Sequence, residues 1–235
     1  MAKNEKNIKD AVIEQLAKSH SALYALPEIK RKTYSEWAAE IILDNFDKLK
    51  IPPAPPRETY DVGHTGDSSK DKGISTEKVI AKKLFNCNPN HLGTIGRIFD
   101  YEVPLEIPKS GKKKGDLRLG DIDLVSVTDN CIYLLEFKRP KSNESLLRCV
   151  LEIYTYHKQL PHKIFVESFI KTGKLKKELP LKPAILIFED SVAYEQYKEK
   201  DKNKKALEIM EKAKVELFII KETADRYEVS APSLY

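Results

Sequence analysis

The residue types most able to do chemistry together lie in one segment, GDIDLVSVTDNCIYLLEFKRP, residues 120–140. Asp129-Asn130 is a good two-residue hairpin loop, because Asp and Asn tolerate the left-handed backbone of a type I′ turn. With that loop setting the register, Thr128 faces Cys131, Val125 faces Leu134, Asp123 faces Glu136 and Asp121 faces Lys138. Opposed residues point to one face of a sheet, and so do alternate residues along a strand. Asp121, Asp123, Glu136 and Lys138 then share one face at one end of the hairpin, with Val125, Val127, Ile132 and Leu134 farther along it. Ile122, Leu124, Tyr133, Leu135 and Phe137 fall on the other face, and two apolar faces indicate a sheet covered on both sides.

Opposed carboxylates with Cβ atoms ~5 Å apart repel. A divalent cation between them removes that cost, and hard oxygen donors with room for water suit Mg²⁺ or Mn²⁺. Lys138 reaches the same space, where it can steer a water or neutralise charge developing on a phosphate.

These residues resemble the PD-(D/E)XK nuclease superfamily, whose motif places an Asp on one strand of a hairpin and an acid-x-Lys on the next. The resemblance makes Asp123 and Glu136 the acids and Lys138 the lysine, over about residues 74–190. No proline precedes the first acid here. Asp123 is preferred over Asp121 as the leading acid because it opposes Glu136, and Asp121 becomes a supporting ligand. The resemblance implies a restriction-endonuclease-like core of helix, three antiparallel strands, helix and a further strand. It further implies Mg²⁺-dependent hydrolysis of DNA, less often RNA. Relatives often carry a metal-side Glu on the preceding helix, and Glu77 fits; in the first turn that residue also suits the helix dipole. A polar residue on the following helix often faces the site, for which Glu152, Tyr156, His157 and Gln159 are candidates. The superfamily includes members without catalysis, so the alternative is an inactive module binding nucleic acid or a protein partner.

The elements that must position these residues follow from periodicity. Helical spacing over 5–25 and about 28–49 predicts a helical N-terminal appendage, 1–50, able to serve in oligomerisation or docking. Pro52, Pro53, Pro55 and Pro56 favour extended chain, and the Gly/Ser/Asp stretch after them reads as loop, so 51–73 is expected to be a linker. The remainder, 74–235, reads as an α/β domain. Helix is expected at 76–86, strands at 97–106, 117–128 and 131–138, and a long helix over 143–160 ending before Pro161. Buried strands are expected at 184–188 and 215–220, with helix over 192–213 between them. The sum is a mixed sheet with an antiparallel hairpin, flanked by helices.

Composition sets the bounds. The chain has 235 residues, 41% hydrophobic, enough for a sizeable core, and a net charge of +5 that suits a polyanionic partner without requiring one. Lys109, Lys112, Lys113 and Lys114, with Arg118, Arg139 and Lys141, could contact phosphates, or simply be solvated. Three cysteines, Cys87, Cys131 and Cys149, make no disulfide framework and point to a reducing, cytoplasmic setting. Cys87 and His91 lack the second pair that zinc requires. No apolar run reaches the ~18 residues of a membrane span, and the N-terminus has no secretory h-region. Walker, Gly-x-Ser-x-Gly and His-Glu-x-x-His sequences are absent. The expected partner is nucleic acid, with a homodimer compatible with the chain and no membrane association.

Overall fold

The computed structural model describes residues 2–66, 76–87, 92–106, 120–223 and 227–232. The basic run Lys112, Lys113 and Lys114, with Lys109 and Arg118, lies outside the described residues, as do 67–73 of the expected linker.

The protein is α/β. Helices α1 (Ala2–Lys18), α2 (Pro27–Lys30), α3 (Lys32–Asp44) and α4 (Glu77–Asn86) precede strands β1 (Arg97–Pro104), β2 (Asp121–Val127) and β3 (Ile132–Lys138). Helices α5 (Leu146–Gln159) and α6 (His162–Lys171), β4 (Leu181–Phe188), α7 (Val192–Lys198), α8 (Lys204–Lys212), β5 (Glu216–Glu222) and β6 (Tyr227–Ser230) complete the order. The six strands form one sheet in sequence order. β1, β2 and β3 run antiparallel, β4 and β5 add in parallel, and β6 closes antiparallel. The two parallel joins need crossovers, which α5 with α6 and α7 with α8 supply.

Both faces of the sheet are buried. Val125, Ile132, Leu134, Ile185 and Ile187 pack with α5, α6, α8 and the N-terminal helices. Leu124, Leu135, Phe137, Leu186 and Phe218 pack with α4 on the other side. Phe137 and Leu134 are fully buried, each worth ~1.5–3 kcal/mol over exposure.

Three local expectations need correction. The Asp129-Asn130 loop joins β2 and β3 in the expected register, Val127 against Ile132 and Leu124 against Leu135. It is not type I′, however, because neither residue has positive φ. Thr128 closes the turn instead: its Oγ1 accepts the N–H groups of Asn130 (3.3 Å) and Cys131 (3.1 Å). Ile122 packs with Val125 rather than with Leu124, because the β2–β3 ladder ends at Leu124–Leu135 and the alternation does not continue past it. The helix expected over 28–49 is broken at Arg31, whose backbone is extended (φ −96°, ψ 136°); Pro27 opens α2 at its first turn, where its missing N–H costs nothing.

The N-terminal helices share a core with the sheet's helices. Ile8, Val12, Leu23, Ile29 and Ile42 are buried in the same cluster as Leu147, Val150 and Ile209. Ser145, the N-cap of α5, takes the Arg148 N–H on its hydroxyl and donates to Ile29 O. The Pro-rich stretch is extended as expected but is not a free tether over its described part. Ala54 N–H donates to Gln159 O (2.7 Å), and buried Tyr60 packs on Phe165. Farther on, Asp61 and fully buried Asp100 share Lys174, at 2.7 and 3.0 Å, and Asp100 also holds His64 at 2.8 Å.

Candidate active site

Three elements meet where the β2–β3 ladder ends. β2 supplies Asp123, β3 supplies Glu136 and Lys138, and α5 lies across them. A Glu-x₃-Arg-x₃-Glu-x₃-Tyr series, Glu144, Arg148, Glu152 and Tyr156, occupies one side of that helix at i, i+4 spacing.

Asp123 stands next beyond the Leu124–Leu135 pair, toward Glu136. Its Oδ2 accepts the Phe137 N–H at 2.7 Å, taking the place in the ladder that a strand carbonyl would fill. Glu136 and Lys138 are 2% and 4% exposed, rare for charged residues and tolerable only when paired. Lys138 Nζ lies 2.5 Å from Glu136 Oε1, 3.1 Å from Glu144 and 3.8 Å from Glu152. Arg148 bridges Glu144 (2.9 Å) and Glu152 (3.3 Å), and donates from Nη1 to Tyr24 O at 2.8 Å. The Tyr156 hydroxyl donates to Glu152 at 3.1 Å and sits edge-on to Tyr24. Gly120 passes so close that a Cβ would lie 1.9 Å from that hydroxyl.

The electrostatics are unbalanced. Burial, with added repulsion from Glu152 and Glu102, pushes the Asp123 carboxyl up to about 8, against the pull of Lys138 and the Phe137 N–H. Burial, then the charges of Asp123 and Glu152, holds Glu136 well above the carboxylate range. Burial alone would lower the Lys138 ammonium, but Glu136, Asp123 and Glu152 outweigh it and keep it protonated. Glu144 goes the other way: Lys138 and Arg148 overcome its burial and hold it ionised. Tyr156 and Cys149 are both pushed up by burial, so neither is a nucleophile at neutral pH.

The remaining expected residues are placed as follows. Asp121 pairs with Pro104 of β1 and is not among the ion-pair partners of Lys138; its Oδ1 is buried with no hydrogen-bond partner. Glu77 opens α4 beyond the Thr76 cap, and its Oε1 accepts the Arg139 N–H at 3.5 Å just past Lys138. Arg139 is exposed at the mouth. Of the α5 candidates, Glu152 and Tyr156 join the site. His157 packs instead on His162, and Gln159 meets Ala54. Glu144, Arg148 and Tyr24 were not anticipated; the i, i+4 series on α5 carries the signal for the first two. Glu102, whose charge reaches Asp123, has a left-handed backbone (φ 47°) that no local sequence feature announces.

Among the described residues, no group of three or more His, Cys, Asp or Glu side chains is gathered to hold a metal ion. The donors still fit a hard cation in kind: two carboxylates raised by burial, and a third, Asp121, with an orphaned buried oxygen. No helix among the described residues is long and apolar enough to cross a membrane. No protein-family model, curated protein or solved structure matches the chain.

Proposed function

We propose that this chain is a metal-dependent nuclease that hydrolyses phosphodiester bonds of nucleic acid, DNA in the first instance, on a restriction-endonuclease-like core. The observation that carries the reading is the pair Asp123 and Glu136, destabilised as charges at the end of a hairpin ladder, with the Lys138 ammonium 2.5 Å from Glu136. The order α4, β1, β2, β3, α5, β4 supports it, since it has the succession of helix, three antiparallel strands, helix and parallel strand.

Asp123 and Glu136 would hold Mg²⁺ or Mn²⁺, with Asp121 and Glu77 as supporting carboxylates. When bound, the ion would polarise a phosphate and lower the pKa of a coordinated water. Lys138 brings a permanently protonated donor to charge developing on the phosphate, in a dry setting where that interaction is strengthened. Arg148 and Tyr156 hold Glu152, and Glu152 with Glu144 fixes where the ammonium rests. Arg139, exposed beyond Lys138, extends positive charge toward a backbone phosphate.

A second reading, an inactive module of the same fold binding nucleic acid or a protein partner, draws on a different observation. Lys138 is engaged by three carboxylates, and the described donors do not converge as a threefold set. Incubating plasmid DNA and a single-stranded RNA with Mg²⁺, Mn²⁺ or EDTA separates the two. Cation-dependent cleavage by wild type and none by Glu136→Gln is the expected outcome; binding without cleavage under every condition selects the module.

A further inference from the structure

At the other end of the β2–β3 hairpin from Asp123 and Glu136, a cleft of about 500 Å³ opens beside the turn. Gly93 and Gly96 line it together with Val127 and Thr128, and the loop from Gly173 to Leu179 forms its wall. Gly96 sits at φ 71°, and a Cβ there would lie 2.2 Å from Val127 O, so the close approach of these two backbones requires glycine.

The cations of the cleft are unequally matched. Lys174 is satisfied by Asp61 and Asp100. Arg97 is partly buried; its Nη2 donates to Lys174 O at 2.7 Å, and no carboxylate among the described residues lies within ion-pair distance. Lys176 and Lys177 are exposed and also without such a partner among the described residues. One carboxylate, Asp129, lines the cleft. Burial pulls the Arg97 guanidinium below its usual range, the mark of a desolvated charge not compensated by an anion. Val127, Leu175 and Leu179 add an apolar surface.

We infer that this cleft binds a small organic phosphate of about mononucleotide size, with Arg97, Lys176 and Lys177 on the phosphate and the apolar surface against the rest of the molecule. A guanidinium matches a phosphate through paired hydrogen bonds, which a point charge cannot do. A phosphomonoester carries close to two charges at neutral pH, a better balance for three cations than one carboxylate gives. The volume falls within the ~300–1,000 Å³ of small-molecule sites, and is larger than an inorganic anion needs. The site does not rest on the nuclease reading, since it shares no residue with Asp123, Glu136 or Lys138.

The test is a titration of the full chain with adenosine monophosphate, read from amide shifts and calorimetry. Saturable shifts at Gly93, Gly96 and Gly173, competition by inorganic phosphate, and little binding of adenosine are expected. Lys176→Ser/Lys177→Ser, a change confined to exposed side chains, should weaken binding about tenfold, the scale of one lost charge-assisted contact. Asp129→Asn should tighten it, and Arg97→Gln should abolish it. No saturable binding, adenosine binding as tightly as its monophosphate, failure of phosphate to compete, or unchanged affinity in both Lys176→Ser/Lys177→Ser and Asp129→Asn would each overturn the inference.

Discussion

Asp123→Asn should stabilise the cation-free protein, and the gain should grow with pH. In the folded state the Asp123 carboxyl is raised from 3.8 to about 8, chiefly by burial. A raised carboxyl binds its proton more tightly in the native state than in the unfolded chain. Its ionisation therefore costs stability progressively from about pH 4 to pH 8, and little further above that. At ~1.4 kcal/mol per unit, the ceiling on this cost is about 5 kcal/mol at pH 8 and less than half of that at pH 5. Solvent contact at the rim and relaxation of neighbouring charges reduce it, so a measured gain of about 2 kcal/mol at pH 8 is expected. The carboxamide oxygen of Asn can still accept the Phe137 N–H, so the 2.7 Å hydrogen bond is not sacrificed. The assay is thermal unfolding in EDTA at pH 5, 6.5 and 8. For a chain of this size ~1 kcal/mol moves the midpoint by about 2–4 °C. A gain that is flat across this range, or a variant less stable than wild type at pH 8, would refute the argument that an uncompensated buried charge sits at Asp123.

Other expectations follow from the same structure. Lys138→Ala leaves Glu136, Glu144 and Glu152 without their shared cation and should cost about 3 kcal/mol at pH 7, read from urea midpoints. His157 is depressed to about 4 by burial, then by His162 and Lys158. Its depressed pKa makes the native state lose stability as pH falls from about 6.5 to 4, so His157→Gln should flatten that acid limb by up to about 3 kcal/mol in urea titrations. Deleting residues 1–50 uncovers the apolar surface of α5 and removes the partners of Arg148 and Ser145. The shortened chain should lose its cooperative thermal transition, and a retained transition would make the N-terminal helices a separable unit.

How much was legible in the sequence depended on how local the determinant was. The hairpin register followed from alternation and a two-residue loop, both properties of adjacent residues. The turn type did not, because the Thr128 hydroxyl supplied a closure that an Asp-Asn pair does not advertise. Ile122 was placed on the wrong face because period-2 reasoning assumes a continuous ladder, and this one stops at Leu124. The α5 candidates Glu152 and Tyr156 were found by helical spacing. The same spacing extends back to Arg148 and Glu144, whose importance appears only once β3 is seen beneath them. β6, four residues at the sheet edge, is too short for periodicity to reveal, and α6, directly after Pro161, was not anticipated. The 1–50 helices were visible as helices, but their burial against α5 is a tertiary fact. Amphipathic pattern says that a face is covered, without saying by what.

The central claim is that Asp123 and Glu136 together hold a divalent cation. Calorimetric titration of Mn²⁺ into wild type, Asp123→Asn, Glu136→Gln and Lys138→Ala at pH 8 tests it directly. One site in wild type, lost in both carboxylate variants and kept in Lys138→Ala, is the predicted result. Equal Mn²⁺ binding by wild type and Asp123→Asn would place the cation elsewhere and contradict the account.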